Sequence, residues 1–292
     1  LKKGIYKGPL HGIPYGLKDL FAVKGYKTTW GSTPYKDQVV NEDAYVYTKL
    51  KDAGAVLCAK LSLGALAYDN KCSGGFTRNP WNLQQGSSGP SAGSAAAAVA
   101  GLLPFTIGTE TLGSIVSPSN RCGATGLRPT FGTVSRSGAM VLCWSLDKTG
   151  PICRSAEDAA IVYSYIKGTD GKDGSAIDHA FNYTAKADVR KMRIGYASNY
   201  FKSLAKDAPE WKVIDTYRSL GADIKAIDFP DSTLYPFNYI DIILSAESAA
   251  AFDELTRTDR DDLIERQDKN FWPNIFRTAR LIPAVEYINA NR

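Results

Sequence analysis

The chain has 292 residues, 44% of them hydrophobic and 11% aromatic, which is enough apolar mass for one large packed domain or two modest ones. Lys and Arg exceed Asp and Glu by 35 − 30 = 5, but the basic residues are scattered and form no stripe with interleaved aromatics, which speaks against direct nucleic-acid binding. Five cysteines without a CxxC pair and only two histidines, His11 and His179, speak against a disulfide framework and the usual zinc sites, and no run of about 18 apolar residues marks a membrane span. A reducing, cytoplasmic location is the resulting expectation.

In chain order, the segment from Asn41 to Gly54 predicts a helix with Asn41 as its cap, acids in its first turn and Gly54 as its stop. A short buried strand follows at 55–59, then a Gly- and Asn-rich loop from Trp81 to Gly89. A small-residue helix (SAGSAAAAVAG) and a second buried strand (LLPFTIG) come next. Strand, helix and strand in this order suggest a βαβ-type unit in a central sheet. Ser155 and Asp158 open a further helix with capping-box logic, and Gly168 to Gly174 reads as a surface loop. Beyond it, the strand MRIGYA, the helix PEWKVIDTYRSLGA and the strand DIKAIDF make one more αβ repeat, and helix-like stretches run on to Arg292.

The densest polar features are GSSGPSAGSAAAAVAG, residues 86–101, and GTETLGSIVSPSNRCG, residues 108–123. Glycines let backbone N–H groups approach a ligand, and serines add hydroxyls, so two such loops suit an oxyanion hole beside a nucleophile. One alone would be ordinary turn chemistry. A serine needs a base, and no GxSxG elbow surrounds any serine here, so a Ser-His-Asp arrangement is disfavoured. Lysine is the base left. Lys18, in GIPYGLKDLF, follows an apolar run bounded by Gly and Pro, and the residues alone leave it open between a buried base and a surface lysine.

Lys18 within GPLHGIPYGLKDLF, the Gly/Ser run from Gly86, GTETLGS ending at Ser114, and CGATGLRPTFGTVSRSGA together closely resemble the amidase signature family. The flanking RNPWNLQQGSS and SLDKTGPICRSAEDAA do so as well. The resemblance implies an α/β fold with a large mixed, twisted sheet covered by helices, a single domain over 1–292 and a signature core at about 9–158. It also implies Ser-Ser-Lys hydrolysis of an amide with no metal and no organic cofactor. Carried onto this chain, Ser114 attacks the carbonyl, Lys18 accepts the proton, and the backbone N–H groups around Thr111, Leu112, Gly113 and Ser114 form the oxyanion hole. Leu1 in place of an initiator Met, and the unmarked end at Arg292, suggest absent N- and C-terminal portions.

One position departs from the pattern. The family's third catalytic member is a serine in a cis peptide, and its register falls on Pro90, held there by Gly93, Ser94, the alanines, Gly101 and Pro104. Proline suits a cis bond but cannot relay a proton, so a weakened or idle enzyme is expected unless Ser91, Ser88 or a water supplies the hydroxyl. Cys122 reads as a buried apolar residue. Asp147 and Arg128 read as ion-pair or loop-capping residues, Thr109 and Ser94 as hydrogen-bonding support behind the serines, and Asp19 as a backbone or solvent contact. The glutaminase subunit of a tRNA-dependent amidotransferase shares the signature and implies partner subunits; a homodimer and an idle binding protein on the same fold are the other readings.

Overall fold

The computed structural model describes residues 4–229 and 236–292, so Leu1 lies outside them. They form two compact units, one of residues up to 181 together with 240–292, and one of residues 182–239.

The larger unit is built on a five-stranded sheet. Its elements are β1 (Pro14–Lys18), α1 (Tyr45–Asp52), β2 (Val56–Leu61), α2 (Ala92–Val99), β3 (Phe105–Glu110), α3 (Val116–Cys122), β4 (Thr125–Gly126), β5 (Lys148–Cys153) and α4 (Ala156–Ile166). The strand order is β2-β1-β3-β5-β4. β1 runs parallel to both β2 and β3, while β5 is antiparallel to β3 and β4, so the sheet is mixed, as the resemblance implied. The two strands predicted around the small-residue helix are parallel, but β1 is inserted between them.

β1 has no strand signature because Pro14 and Gly16 interrupt a five-residue run; its place is set by burial, with Tyr15 and Leu17 fully enclosed. β5 is hidden in the same way by Gly150 and Pro151. The alanines of α2 let that helix lie close on β3. There the Ser94 hydroxyl donates to the Ile107 carbonyl at 3.1 Å, and the Thr106 hydroxyl donates to the Ser94 carbonyl at 3.0 Å. Ala95, Ala98, Ile115, Cys122 and Ile152 form a small apolar cluster there, separate from the main core of Tyr15, Leu17, Phe105 and Ile107.

Two local expectations need correction. Asn41 does not cap α1, which starts at Tyr45 after an extended Ala44; the acidic Asp43 instead accepts the Lys24 N–H at 2.8 Å, tying the segment to the loop after β1. The Gly- and Asn-rich stretch is not plain loop: Arg78–Asn79 pairs antiparallel with Asn82–Gly86, preceded by a Lys71–Cys72 and Gly75–Phe76 ladder. Ser155 does cap α4, accepting the Asp158 N–H at 3.0 Å.

The smaller unit is the predicted αβ repeat. β6 (Arg193–Ala197) and β7 (Asp223–Ile227) pair in parallel through α5 (Pro209–Ser219), over a cluster of Tyr196, Phe201 and Trp211. The chain then returns to the larger unit with α6 (Asn238–Ala251), α7 (Trp272–Ala279) and α8 (Ala284–Asn291). Trp272 anchors α7, stacking on Phe276 and donating its indole N–H to the Leu66 carbonyl at 2.9 Å. Among the described residues, no helix is long and apolar enough to cross a membrane.

Gly108 shows how tightly α2 sits on β3, because a Cβ there would lie 2.8 Å from the Ser91 hydroxyl and 3.2 Å from Ile152 Cδ1. Gly108→Ala is expected to destabilise the chain by about 1–3 kcal/mol in urea denaturation. A variant as stable as the parent would show that helix and strand are not held at this separation.

Candidate active site

Lys18 is the last residue of the inserted strand, and the register Leu17 to Ile107 carries it alongside the end of β3. Its side chain is fully buried. The ammonium nitrogen donates to the Thr109 hydroxyl at 2.8 Å and lies 3.4 Å from the Thr109 carbonyl, with no carboxylate within 4.0 Å among the described residues. Burial penalises the charged form, so its pKa falls from 10.5 to about 7, against the opposing pull of Asp147 and Glu110. Of the two alternatives the residues had left open, Lys18 is not a surface lysine.

β3 runs out at Glu110 into the turn Thr111–Ser114, which enters α3. Gly113 has φ +97°, a left-handed conformation that favours glycine. Glu110 reaches forward over this turn, and its Oε2 accepts the N–H groups of both Ile115 and Val116 at 2.9 Å while Oε1 lies 3.6 Å from Arg128 Nε. The Thr111 hydroxyl donates to Asp147 Oδ1 at 2.6 Å, and the Thr111 carbonyl accepts from Lys148 Nζ at 3.1 Å. The Ser91 N–H donates to the Ser114 carbonyl at 3.2 Å, joining the two Gly/Ser-rich segments.

Ser114 opens on a cavity of about 490 Å³ that it shares with Gly89, Pro90, Thr111 and Leu112 on one side and Leu142, Leu244, Trp272 and Ile275 on others. The Gly89–Pro90 peptide is cis. Leu112, also part of the lining, is 56% exposed. A larger opening of about 810 Å³, around Trp30, Tyr35 and Phe252, contains none of the residues singled out from the sequence as catalytic, so its size carries no weight for the chemistry.

The other sequence candidates are placed as follows. The Ser91 hydroxyl is buried, donating to the Thr109 carbonyl at 3.1 Å and accepting the Thr109 N–H at 3.3 Å. The Ser88 hydroxyl pairs with that of Ser117 at 2.7 Å. Neither serine is part of the cavity lining. Asp19 accepts the Thr29 N–H at 3.0 Å and pairs with Lys60 at 2.6 Å. Arg128 sits beside Glu110 while Asp147 caps a loop, so the two do not pair with each other. Cys122 is buried, and burial pushes its thiol up to about 11, which makes it inert.

Sequence reasoning passed over Glu110 and Lys148. Glu110 carried a usable signal, since an acid just ahead of a helix start is placed to accept the first free N–H groups. Lys148 carried none, because its partner Thr111 is brought near only by the β3–β5 pairing.

The sequence profile of the Amidase family matches residues 1–283, and the chain belongs to that family. It is 39% identical over 251 residues to a glutamyl-tRNA(Gln) amidotransferase subunit of Roseiflexus sp. (strain RS-1), an alignment covering 83% of this chain and 51% of the relative. The chain thus spans about half the length of the curated relatives it matches. Among solved structures, the native peptide amidase from Stenotrophomonas maltophilia superposes with a TM-score of 0.82 at 29% identity, covering 99% of this chain and 66% of that one. The corresponding glutamyl-tRNA(Gln) amidotransferase subunit from Thermotoga maritima superposes at 0.77 with 30% identity, covering 86% and 59%.

Burial of Lys18 links stability to pH with a definite sign. Its folded pKa of about 7 lies below the unfolded value of 10.5, so between them the unfolded chain holds more protons and stability rises with pH. Lys18→Met removes this dependence. The parent's stability relative to the variant is expected to be lowest below pH 7 and to climb toward pH 10, by up to about 1.4 kcal/mol per pH unit in urea titrations. A difference independent of pH would mean that the folded amine keeps its proton.

Proposed function

We propose that this chain hydrolyses a carboxylic amide through an acyl-enzyme on Ser114, with Lys18 as the base. The observation that supports this most is a fully buried lysine, with no carboxylate partner among the described residues and a pKa of about 7, on the strand beside the one that leads into Ser114. Ser114 Oγ attacks the amide carbon and its proton passes to neutral Lys18. The tetrahedral oxyanion accepts hydrogen bonds from the N–H groups of the Thr111–Ser114 turn. Collapse expels the amine, which takes the proton back from Lys18, and water then cleaves the ester.

The weak link is the transfer between serine and lysine. Pro90 offers no hydroxyl at the cavity wall, and the Ser91 and Ser88 hydroxyls are engaged with Thr109 and Ser117. The Thr109 hydroxyl, which accepts from Lys18, and cavity water are the carriers left, and turnover is slow for that reason. The second reading, a glutaminase subunit working with amidotransferase partners, rests on the names of the curated relatives and predicts glutamine as the preferred amide.

Hydrolysis of a panel of simple amides including glutamine, by the parent, Ser114→Ala and Pro90→Ser, tests these readings together. The parent should turn over slowly, Ser114→Ala should abolish turnover, and Pro90→Ser should raise kcat by about 100- to 10,000-fold. The parent's kcat/KM should rise with pH through about 7 as Lys18 loses its proton. No gain in Pro90→Ser would sink the relay argument, and a folded chain inert with either residue at position 90 would be a binding protein on an amidase fold.

A further inference from the structure

We propose that Asp147 is the positioning residue of the reaction: it holds the Thr111–Ser114 turn in its oxyanion-binding shape and couples that turn to the cavity wall at Leu142. This rests on the hydrolase reading of the same site.

Both oxygens of Asp147 are engaged, and by two different segments. Oδ1 accepts the Thr111 hydroxyl at 2.6 Å, and Oδ2 accepts the N–H groups of Leu142 and Cys143 at 2.9 and 3.0 Å. Asp147 is 8% exposed, and burial pushes its pKa up against three donors that favour the charged form. Its chain neighbour Lys148 donates to the carbonyl of the same threonine. Consecutive residues at the entry to β5 therefore grip the side chain and the main chain of Thr111, the first residue of the turn. The far end of the turn is held by Glu110 through the Ile115 and Val116 N–H groups.

The segment Leu142–Ser145 has a second buried anchor. Glu247 on α6 accepts the Ser145 N–H at 3.0 Å and the Cys143 thiol at 3.0 Å, and its other oxygen accepts the Tyr287 hydroxyl of α8 at 2.9 Å. Leu142 lines the cavity that Ser114 opens on. Asp147 is thus the only side chain among the described residues to hydrogen-bond both the turn and this segment, and loosening it frees the oxyanion donors and the acyl wall together. Oxyanion stabilisation depends on donors fixed before the charge develops, and a misplacement of about 1 Å is enough to cost about 100-fold.

The charged groups that act on it or feel it are Lys18, Lys148 and Arg136. Asp147 and Glu110 are the anions that raise the pKa of Lys18 against its burial. Neutralising Asp147 therefore moves the base downward, an effect that removing the Thr111 hydroxyl does not share.

The test compares Asp147→Asn, Thr111→Val and the double variant. Asp147→Asn is expected to lower kcat by about 100-fold with KM changed by less than about threefold. Thr111→Val should give a similar loss, and the double variant little more than either. The acid limb of kcat/KM should move to lower pH in Asp147→Asn and stay in place in Thr111→Val. Hydrogen exchange should show faster exchange of the amides of residues 111–114 and 142–143 in Asp147→Asn, with β1 and β3 still protected. That readout needs no turnover, so an inert parent would count against the hydrolase reading and leave this one to be decided by exchange. Additive losses, or unchanged exchange at residues 111–114, would overturn the role assigned to Asp147.

Discussion

Everything at the site depends on keeping the amine of Lys18 out of water. A fully buried lysine with no carboxylate partner among the described residues is unstable as a cation, and the sheet encloses it with the Thr109 hydroxyl as its hydrogen-bond partner. The surroundings provide limited compensation. Asp147 and Glu110 pull the pKa upward without pairing with the amine, and burial outweighs them, so the pKa settles at about 7. A direct carboxylate contact would have made a stable ion pair and a poor base.

The same economy runs through the carboxylates. Glu110 and Asp147 are used by backbone N–H groups and by Thr111, where they shape the Thr111–Ser114 turn. The serines behind the cavity are likewise occupied: Ser91 is tied to both backbone atoms of Thr109, and Ser94 to Ile107. A segment that reads as a reservoir of free hydroxyls is, in the folded chain, a set of bolts between α2 and β3. Neither Ser88 nor Ser91 therefore has its hydroxyl free beside Pro90.

Much of this was visible in the sequence because several motifs act locally. Ser155 caps α4 through its own neighbours, and the alanine run of α2 has high local helix propensity. The order of Lys18, the Gly/Ser segment and GTETLGS was enough to indicate the family. The features that were hidden depend on distant partners. β1 and β5 contain Pro and Gly that a local reading treats as loop, and only the pairing with β3 makes them strands. Asn41 had the chemistry of a cap, but the chain turns into α1 later, after Asp43 has bound the Lys24 N–H. The grip of Asp147 and Lys148 on Thr111 spans residues that no periodicity connects.

The insertion of β1 between β2 and β3 also concerns how the chain reaches this state. Lys18 and Thr109 are 91 residues apart, so enclosing the lysine requires a large loop to close. In neutral solution the unfolded amine is charged, and closure of β3 against β1 must expel either its water or its proton. The lowered pKa of Lys18 is thus a product of the folded state. Where these strands part, water reaches the amine and its pKa returns toward 10.5, so the lowered value lasts only as long as β1 and β3 stay paired.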